Sequence, residues 1–393
     1  MGQQRGKSKR HYGDGLCLSE IGGMTDDQCF LKLAELRWGS SEQQVCPDCG
    51  AVDSHYFIKT RKHWTCRQCF WRFSITSGTM FAHSKLSHRQ LLLLVVIFAK
   101  EKTGVSAQDI AETLKINYQP AFVLLHKIRE AIKDTASKDK LAGLIHIDGK
   151  HVGGWERKPN NLKVAKKQKV VPNKYSVQLR SKLPKNWKDE HRNRRILVNL
   201  RQVGGPGVGA TRTITAVLYT EKDVVAIRTL IEDHIAPGST IFTDEETSYR
   251  VAKLLGYDHQ AVNHSYQFQT KTGVNNNQSE SYNARFEFML GIHRRIVEHY
   301  MDYYANECAW REDTRKMTPR ERQRNLMSRL ADAGPSKYWS NYCRGNRRQD
   351  VAMHRHCSAW YEPQAETTSQ LAVYRYEAQF WRQRSSAASG IAA

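Results

Sequence analysis

Two short turns, CPDC (Cys46, Cys49) and CRQC (Cys66, Cys69), put four thiols into one small segment with sixteen residues between the pairs. One C-x-x-C alone is compatible with a redox pair; two at this distance form the pattern of a four-cysteine zinc site. Such a site dictates local structure. Each pair has to present its thiolates from a tight turn, and Gly50 gives the first turn its backbone freedom. The intervening HYFIKTRKHWT supplies two short strands. The expectation is a zinc ribbon within residues 16–84, holding structural zinc on Cys46, Cys49, Cys66 and Cys69. Its cations and aromatics (Arg61, Lys62, His63, Trp64, Arg67, Trp71, Arg72 and Phe73) suit either DNA contact or the ribbon's own core. The other five cysteines show no paired spacing, although HRHC (His354–Cys357) with Cys343 offers a second, weaker set of donors.

The charge balance selects the partner. The chain of 393 residues carries 61 Lys and Arg against 39 Asp and Glu, a formal net charge of +22. That excess suits a polyanion, either nucleic acid or an anionic membrane. Leu91 to Ala99 is the longest apolar run and is about half what a bilayer span requires, so DNA is expected and a membrane is not. MGQQRGKSKR has no apolar stretch behind it and does not read as a secretory signal. Residues 1–15 read as a basic disordered arm and the protein as cytoplasmic and nucleoid-associated, with cysteines kept as thiols or metal ligands.

Residues 85–140 turn helical. SHRQLLLLVVIFAKEK is a buried helix with Ser87 as N-cap. In TGVSAQDIAETLKINYQPAFVLLHKIREAIK, Ser106 and Asp109 resemble a capping box with Asp in the place of Glu, KIN makes a turn, and apolar residues recur at helical spacing on both sides. Short helix, turn and longer basic helix have the outline of a helix-turn-helix whose second helix enters the major groove; a plain helical hairpin has the same outline.

In GLIHIDGKHVGG, Leu144, Ile145 and Ile147 read as a buried strand that runs straight into Asp148. A carboxylate there costs desolvation energy unless something pairs with it. The strands RRILVNLRQV and ATRTITAVLY follow, joined by GGPGVG, which is no phosphate loop because neither Gly-Lys-Ser/Thr nor a helix comes after it. A helix leads to STIFTDEETSYR, where Asp244 ends an apolar run in the same way. A further helix and the strand HQAVNHS precede NNQSESYNARFEFML, an amphipathic helix with Glu280 in its first turn. This order matches an α/β ribonuclease-H-like core over residues 141–311, with Asp148 mid-sheet, Asp244 on the adjacent strand and Glu280 leaning in from a packed helix. Three converging carboxylates repel one another until divalent cations relieve them. Two magnesium ions, or manganese, suit such oxygen ligands and the in-line displacement of a phosphoryl group.

RWGSSEQQVCPDCG, TCRQCFWRFSITSGTMF, GVSAQDIAETLKINYQPAFVLLHKIREAI, HIDGKHVGG, FTDEETSY, VNHSYQF and NQSES occur in an order that resembles the zinc-ribbon DDE transposases of bacterial insertion sequences (ISXO-type, related to Merlin DNA transposons). The resemblance covers roughly Leu16 to Arg311. It implies a ribonuclease-H-like domain that nicks transposon ends and joins the freed 3′-hydroxyls to target DNA without a covalent enzyme intermediate. Asp148 matches the family's first acid, Asp244 its second and Glu280 its third, with Asn277 at the preceding Asn and His264 in the NHS motif. Two departures concern the helix of the third acid. Where the family often carries a Lys one or two turns later, this chain has Glu287, with Arg285 nearby, and a common His before the Asn is replaced by Asn275. Glu245 and Glu246 are alternative ligands or solvated acids.

Residues 155–195 carry fourteen Lys and Arg against three acids, and next to a site for DNA strands such a loop would neutralise phosphates. The expected DNA contacts are Lys150, Lys166, Lys167, Lys169, His264, Asn277 and Arg285. Residues 312–393 form a basic extension in which RKMTPRERQRNLMSRLADAG has helical character. The expectation is a transposase acting on transposon ends and target DNA, at least dimeric when two ends are synapsed. Two rivals share these residues: a ribonuclease-H-like nuclease that cuts without joining, and a transposase-derived DNA-binding regulator without activity.

Overall fold

In the computed structural model, residues 15–153, 194–204, 208–218, 224–261, 275–294, 296–297 and 300–342 are described. The basic arm, the insert with Lys166, Lys167 and Lys169, His264, and the Cys343/HRHC donors lie outside them.

Five strands make a mixed sheet in the order β6-β5-β4-β7-β8. β4 (Leu144–Gly153), β5 (Arg194–Val203) and β6 (Ala210–Leu218) pair antiparallel in succession, whereas β7 (Thr240–Thr243) lies parallel beside β4 and β8 (Asp258–Ala261) parallel beside β7. A parallel step needs a crossover; α6 (Val224–His234) makes it between β6 and β7, and α7 (Val251–Leu254) lies between β7 and β8. This is the ribonuclease-H-like arrangement. β5 is buried on both faces, with Ile196, Leu197, Val198 and Leu200 all inside, so its apolar run is nearly continuous rather than alternating. One face of the sheet is covered by α8 (Asn277–His293) and α9 (Met301–Asp313): Val152 and Leu197 share a core with Tyr282, Phe286, Met289, Met301 and Ala305.

The N-terminal part begins with α1 (Leu18–Gly23) and α2 (Asp26–Trp38), followed by a three-stranded ribbon, β1 (His55–Ile58), β2 (His63–Cys66) and β3 (Arg72–Ser74). Its core is one aromatic stack in which Trp64 lies between Phe30 of α2 and Phe73 of β3, at ring separations of 5.3 and 5.6 Å. Next come α3 (His88–Lys100), α4 (Ala107–Leu114) and α5 (Tyr118–Asp134). Ser87 caps α3 through a reciprocal box with Gln90, while Ser106 accepts from the Asp109 amide without the return bond. α3 is apolar on nearly every side because it is central, which is what an all-round hydrophobic helix requires. The wall that closes this core is α10 (Pro319–Asp332), begun by a Thr318–Glu321 capping box and supplying Leu326, Met327 and Leu330. Gln323 of α10 exchanges two hydrogen bonds with the Leu16 backbone, at 3.1 and 2.9 Å.

The helix–turn–helix outline is present, with Lys115 in the left-handed region at the turn. It is poorly arranged to read a groove. From Leu124 to Ile132, α5 is buried apart from a half-buried Lys127, packed against α9 and α10. Its exposed residues are Tyr118 to Pro120 at the start and Asp134 at the end, and the exposed side of α4 carries the acids Asp109 and Glu112. The hairpin reading fits this burial better than a recognition helix does.

Glu307, fully buried on α9, joins the two halves. It accepts from Arg129 Nε of α5 at 2.6 Å and from Arg311 Nε and Nη2 at 2.9 and 2.6 Å. Arg311 also donates to the carbonyls of Phe98 and Glu101 at the end of α3. Burial alone would raise the Glu307 carboxyl, but the two guanidiniums override it and hold it at about 2. Removing one member of such a set strands the others without countercharge. Glu307→Gln is therefore expected to lower unfolding stability by about 3–5 kcal/mol at neutral pH, read as a shift of the urea midpoint. Because the folded value lies below the unfolded 4.5, this contribution is complete above pH 4.5 and disappears as pH falls through about 2. The deficit of the variant shrinks over that window; a deficit independent of pH would contradict the assignment.

Candidate active site and metal centre

The four ribbon cysteines converge: their sulfurs all lie within 4.8 Å of one another, with Cys46–Cys69 and Cys49–Cys66 at 3.6 Å. A tetrahedron with Zn–S bonds of about 2.3 Å has edges of roughly 3.8 Å, so the donor set fits zinc in number, chemistry and spacing. The two turns are built alike. The Gly50 amide donates to the Cys46 carbonyl and the Phe70 amide to the Cys66 carbonyl, while the Cys46 and Cys66 amides close back on Ala51 and Trp71. The thiols crowd one another. Cys66 is drawn down to about 6, first by the Cys69 amide; Cys69 is pushed up to about 12, the Trp71 amide being outweighed by burial and three neighbouring thiols. A divalent cation would relieve that competition.

Asp148 stands on β4, half-buried. Its Oδ1 accepts from the Gly149 amide at 3.0 Å and its Oδ2 from Asn283 Nδ2 at 2.7 Å. Asn283 is held in turn by Asn199 of β5, whose amide also donates to the Asp148 carbonyl. The parallel pairing of β4 with β7 matches Leu144 with Thr240, Ile145 with Ile241 and His146 with Phe242. The pairing ends there; the same register continued by two residues would set Asp244 beside Asp148. Asp244 Oδ1 accepts from the Glu246 amide at 3.1 Å. Glu246 itself caps the next turn through the Thr247 amide and hydroxyl, and Glu245 is exposed.

Glu280 is exposed in the first turn of α8. Two asparagines on the same helical face bracket it. Asn276 donates to the Ile147 carbonyl at 3.0 Å, and Asn283 grips Asp148. At 1.5 Å of rise per residue, Glu280 lies about 6 Å along the axis from the first and 4.5 Å from the second. Helix α8 is thus docked on the strand of Asp148 by contacts on either side of Glu280. Among the described residues, however, the cysteines are the cluster whose ligand atoms come within 4.8 Å of one another; the three carboxylates stand further apart.

Beneath Asp148 and on the same face of β4, His146 is buried against Phe242 at a ring separation of 5.5 Å. Burial first, and then the charge of Arg201, lower its pKa to about 4, so the imidazole is neutral at pH 7.

Among the described residues, the two cations expected to meet DNA are engaged within the chain. Lys150 Nζ pairs with Glu287 at 2.9 Å, so a lysine does stand at the second turn beyond Glu280, reaching it from the strand. Arg285 pairs with Glu312 at 3.0 Å. Asn277 is exposed at the first position of α8. Sequence reasoning missed Asn276, Asn283 and Asn199. A signal existed for two of them: Asn199 interrupts the apolar run ILVNL, and Asn283 lies one turn beyond Glu280 on its own face.

For the zinc site, Cys49→Ser is expected to reduce bound metal from about one ion per chain to near zero by elemental analysis, with increased protease cutting between β1 and β3. Full zinc retention would refute the four-cysteine assignment.

A family model described as an ISXO2-like transposase domain matches residues 140–313. These residues run from just before β4 to the end of α9. A second, described as a transposase zinc-ribbon domain, matches residues 24–70, which include all four cysteines. An uncharacterized protein in transposable element ISH50 of Halobacterium salinarum is 23% identical over 219 residues, 55% of this chain and 66% of that protein, so the chain spans just under two thirds of this relative's length. No solved structure matches. With the ribbon and the ribonuclease-H-like core both matched over more than half of its length, the chain belongs to the ISXO2-like transposases of the IS1595 type.

Proposed function

We propose that the chain catalyses metal-dependent DNA cleavage and strand transfer, moving an insertion sequence by nicking its ends and joining the 3′-hydroxyls to target DNA. Membership of a transposase family implies DNA as the partner. The observation that supports the chemistry is the parallel pairing of β4 with β7, whose register if continued would bring Asp244 beside Asp148, together with the grip of the Glu280 helix on Asp148 through Asn283. Three carboxylates are a hard-oxygen donor set that suits magnesium or manganese. Asp148, Asp244 and Glu280 would hold two such ions, which when bound supply activation of the attacking oxygen and stabilisation of the leaving one. The Asn283 amide fixes which Asp148 oxygen faces the helix, and the neutral His146 adds no positive charge beneath the site. Synapsis of two ends calls for at least a dimer.

Labelled element ends incubated with target DNA and magnesium give joined product if this reading holds. Asp148→Asn, Asp244→Asn and Glu280→Gln are each expected to lower joining by on the order of a thousandfold. Cleavage without joining would favour the nuclease, binding without cleavage the regulator, and unimpaired joining in all three variants would refute the assignment. Asn283→Ala removes the hydrogen bond that orients Asp148 and the one Asn283 accepts from Asn199; its expected effect is a ten- to hundredfold rate loss with a raised metal requirement, measured by titrating magnesium. An unchanged metal dependence would mean that Asn283 merely packs.

A further inference from the structure

The two zinc knuckles share one backbone and carry opposite side chains. At equivalent positions the first has Gly50 and Ala51, the second Phe70 and Trp71. The turn requires a positive φ at the first of each pair: +73° at Gly50 and +59° at Phe70. Glycine meets that demand without cost, whereas a bulky side chain does not. Crowding does not explain the difference, since a Cβ added to Gly50 would meet nothing within 4 Å. Phe70 is nonetheless 78% exposed and Trp71 50%. The ribbon therefore keeps two large rings in water on a backbone that disfavours one of them, a combination that neither folding nor solubility rewards.

The surroundings say what the rings meet. The register Tyr56–Thr65–Arg72 runs across the outer face of the ribbon, away from the buried Trp64 and Phe73. Tyr56 is exposed, with the Arg67 guanidinium stacked over it at 4.2 Å. No carboxylate occurs between Asp53 and Glu101, while Arg67 falls in the second knuckle, Arg72 opens β3, and Lys59, Arg61 and Lys62 make the turn between β1 and β2. Of these, Lys62 is tied to Asp26 and Asp27 of α2. An apolar protein surface would not select such one-signed charge. Exposed rings flanked by arginines are an arrangement that holds unpaired bases while neutralising their phosphates.

We infer that the second knuckle is a base-stacking platform: Phe70 and Trp71, flanked by Arg67 and Arg72, take unpaired bases of locally opened DNA. This rests on the DNA-handling reading above and adds to it the element and the form of DNA that it recognises. The first knuckle, with Asp48, Gly50 and Ala51, serves the metal alone.

The test uses the full-length zinc-loaded chain without added magnesium, and a duplex with a short mismatched bubble containing 2-aminopurine, compared with a fully paired duplex of equal length. The wild type is expected to prefer the bubble and to change the 2-aminopurine fluorescence. Phe70→Gly and Trp71→Ala should each weaken bubble binding by about tenfold, change duplex binding little, and keep zinc. Phe70→Gly should resist a chelator at least as well as the wild type, because glycine accepts the positive φ. The inference is overturned by equal binding of both DNAs in the wild type, by unchanged bubble affinity in both variants, or by variants that alter only self-association. Asp148→Asn retains this binding if the platform is real, so failure of the catalytic assignment and failure of the platform are separable.

Discussion

One carboxylate shut away from water determines how this chain holds together. Glu307 belongs by position to the last helix of the catalytic unit, but its charge is satisfied by Arg129 from the helical region and by Arg311, which in turn ties down the carbonyl end of α3. A buried ion set is no efficient source of stability compared with apolar packing. Its value lies in direction: hydrophobic surfaces slide over one another at small cost, whereas a charge with two bidentate-capable partners tolerates few relative placements. The helices that surround the zinc ribbon and the sheet that carries the acids are therefore held in one register by three side chains, not by apolar area alone.

The same economy recurs at the sheet. Asp148 has its surroundings built from amides: Asn199 from the neighbouring strand, Asn283 from the helix and Asn276 on the carbonyl just before it. Asparagine carries no charge, so it orients a carboxylate without neutralising it and without competing with cations for the site. Lysine and arginine near these acids are instead paired off with Glu287 and Glu312.

Legibility in the sequence followed the range of the interactions. The paired C-x-x-C turns, the end of β7 just before Asp244 and the capping of α3 are local patterns, and each stands in the structure at its expected residues, whereas β4 runs on past Asp148 to Gly153. The strand order was readable because three hairpin-linked strands followed by a helix leave few ways to add β7. The asparagine grip was not readable, since its partners are 84 and 135 residues apart and no periodicity marks them. The ribbon aromatics were ambiguous for a different reason: Trp64 and Trp71 look alike in composition, and only the alternation of β2 and the turn before β3 send one inward and the other out. The burial of α5 escaped notice because its cover, α10, lies nearly two hundred residues downstream in a stretch that reads as merely basic. The signals for α10 itself, Thr318, Pro319 and Glu321, were on display.

That distant cover bears on how the polypeptide is made. Domains emerging from the ribosome usually fold in order, the first sealed before the next appears. Here the apolar groove formed by α2, α3 and α5 waits for Leu326, Met327 and Leu330, so the earliest-synthesised module cannot close until the catalytic sheet has already been translated. A nascent chain interrupted anywhere before α10 carries an open core, which favours its degradation over the release of a ribbon able to act on its own.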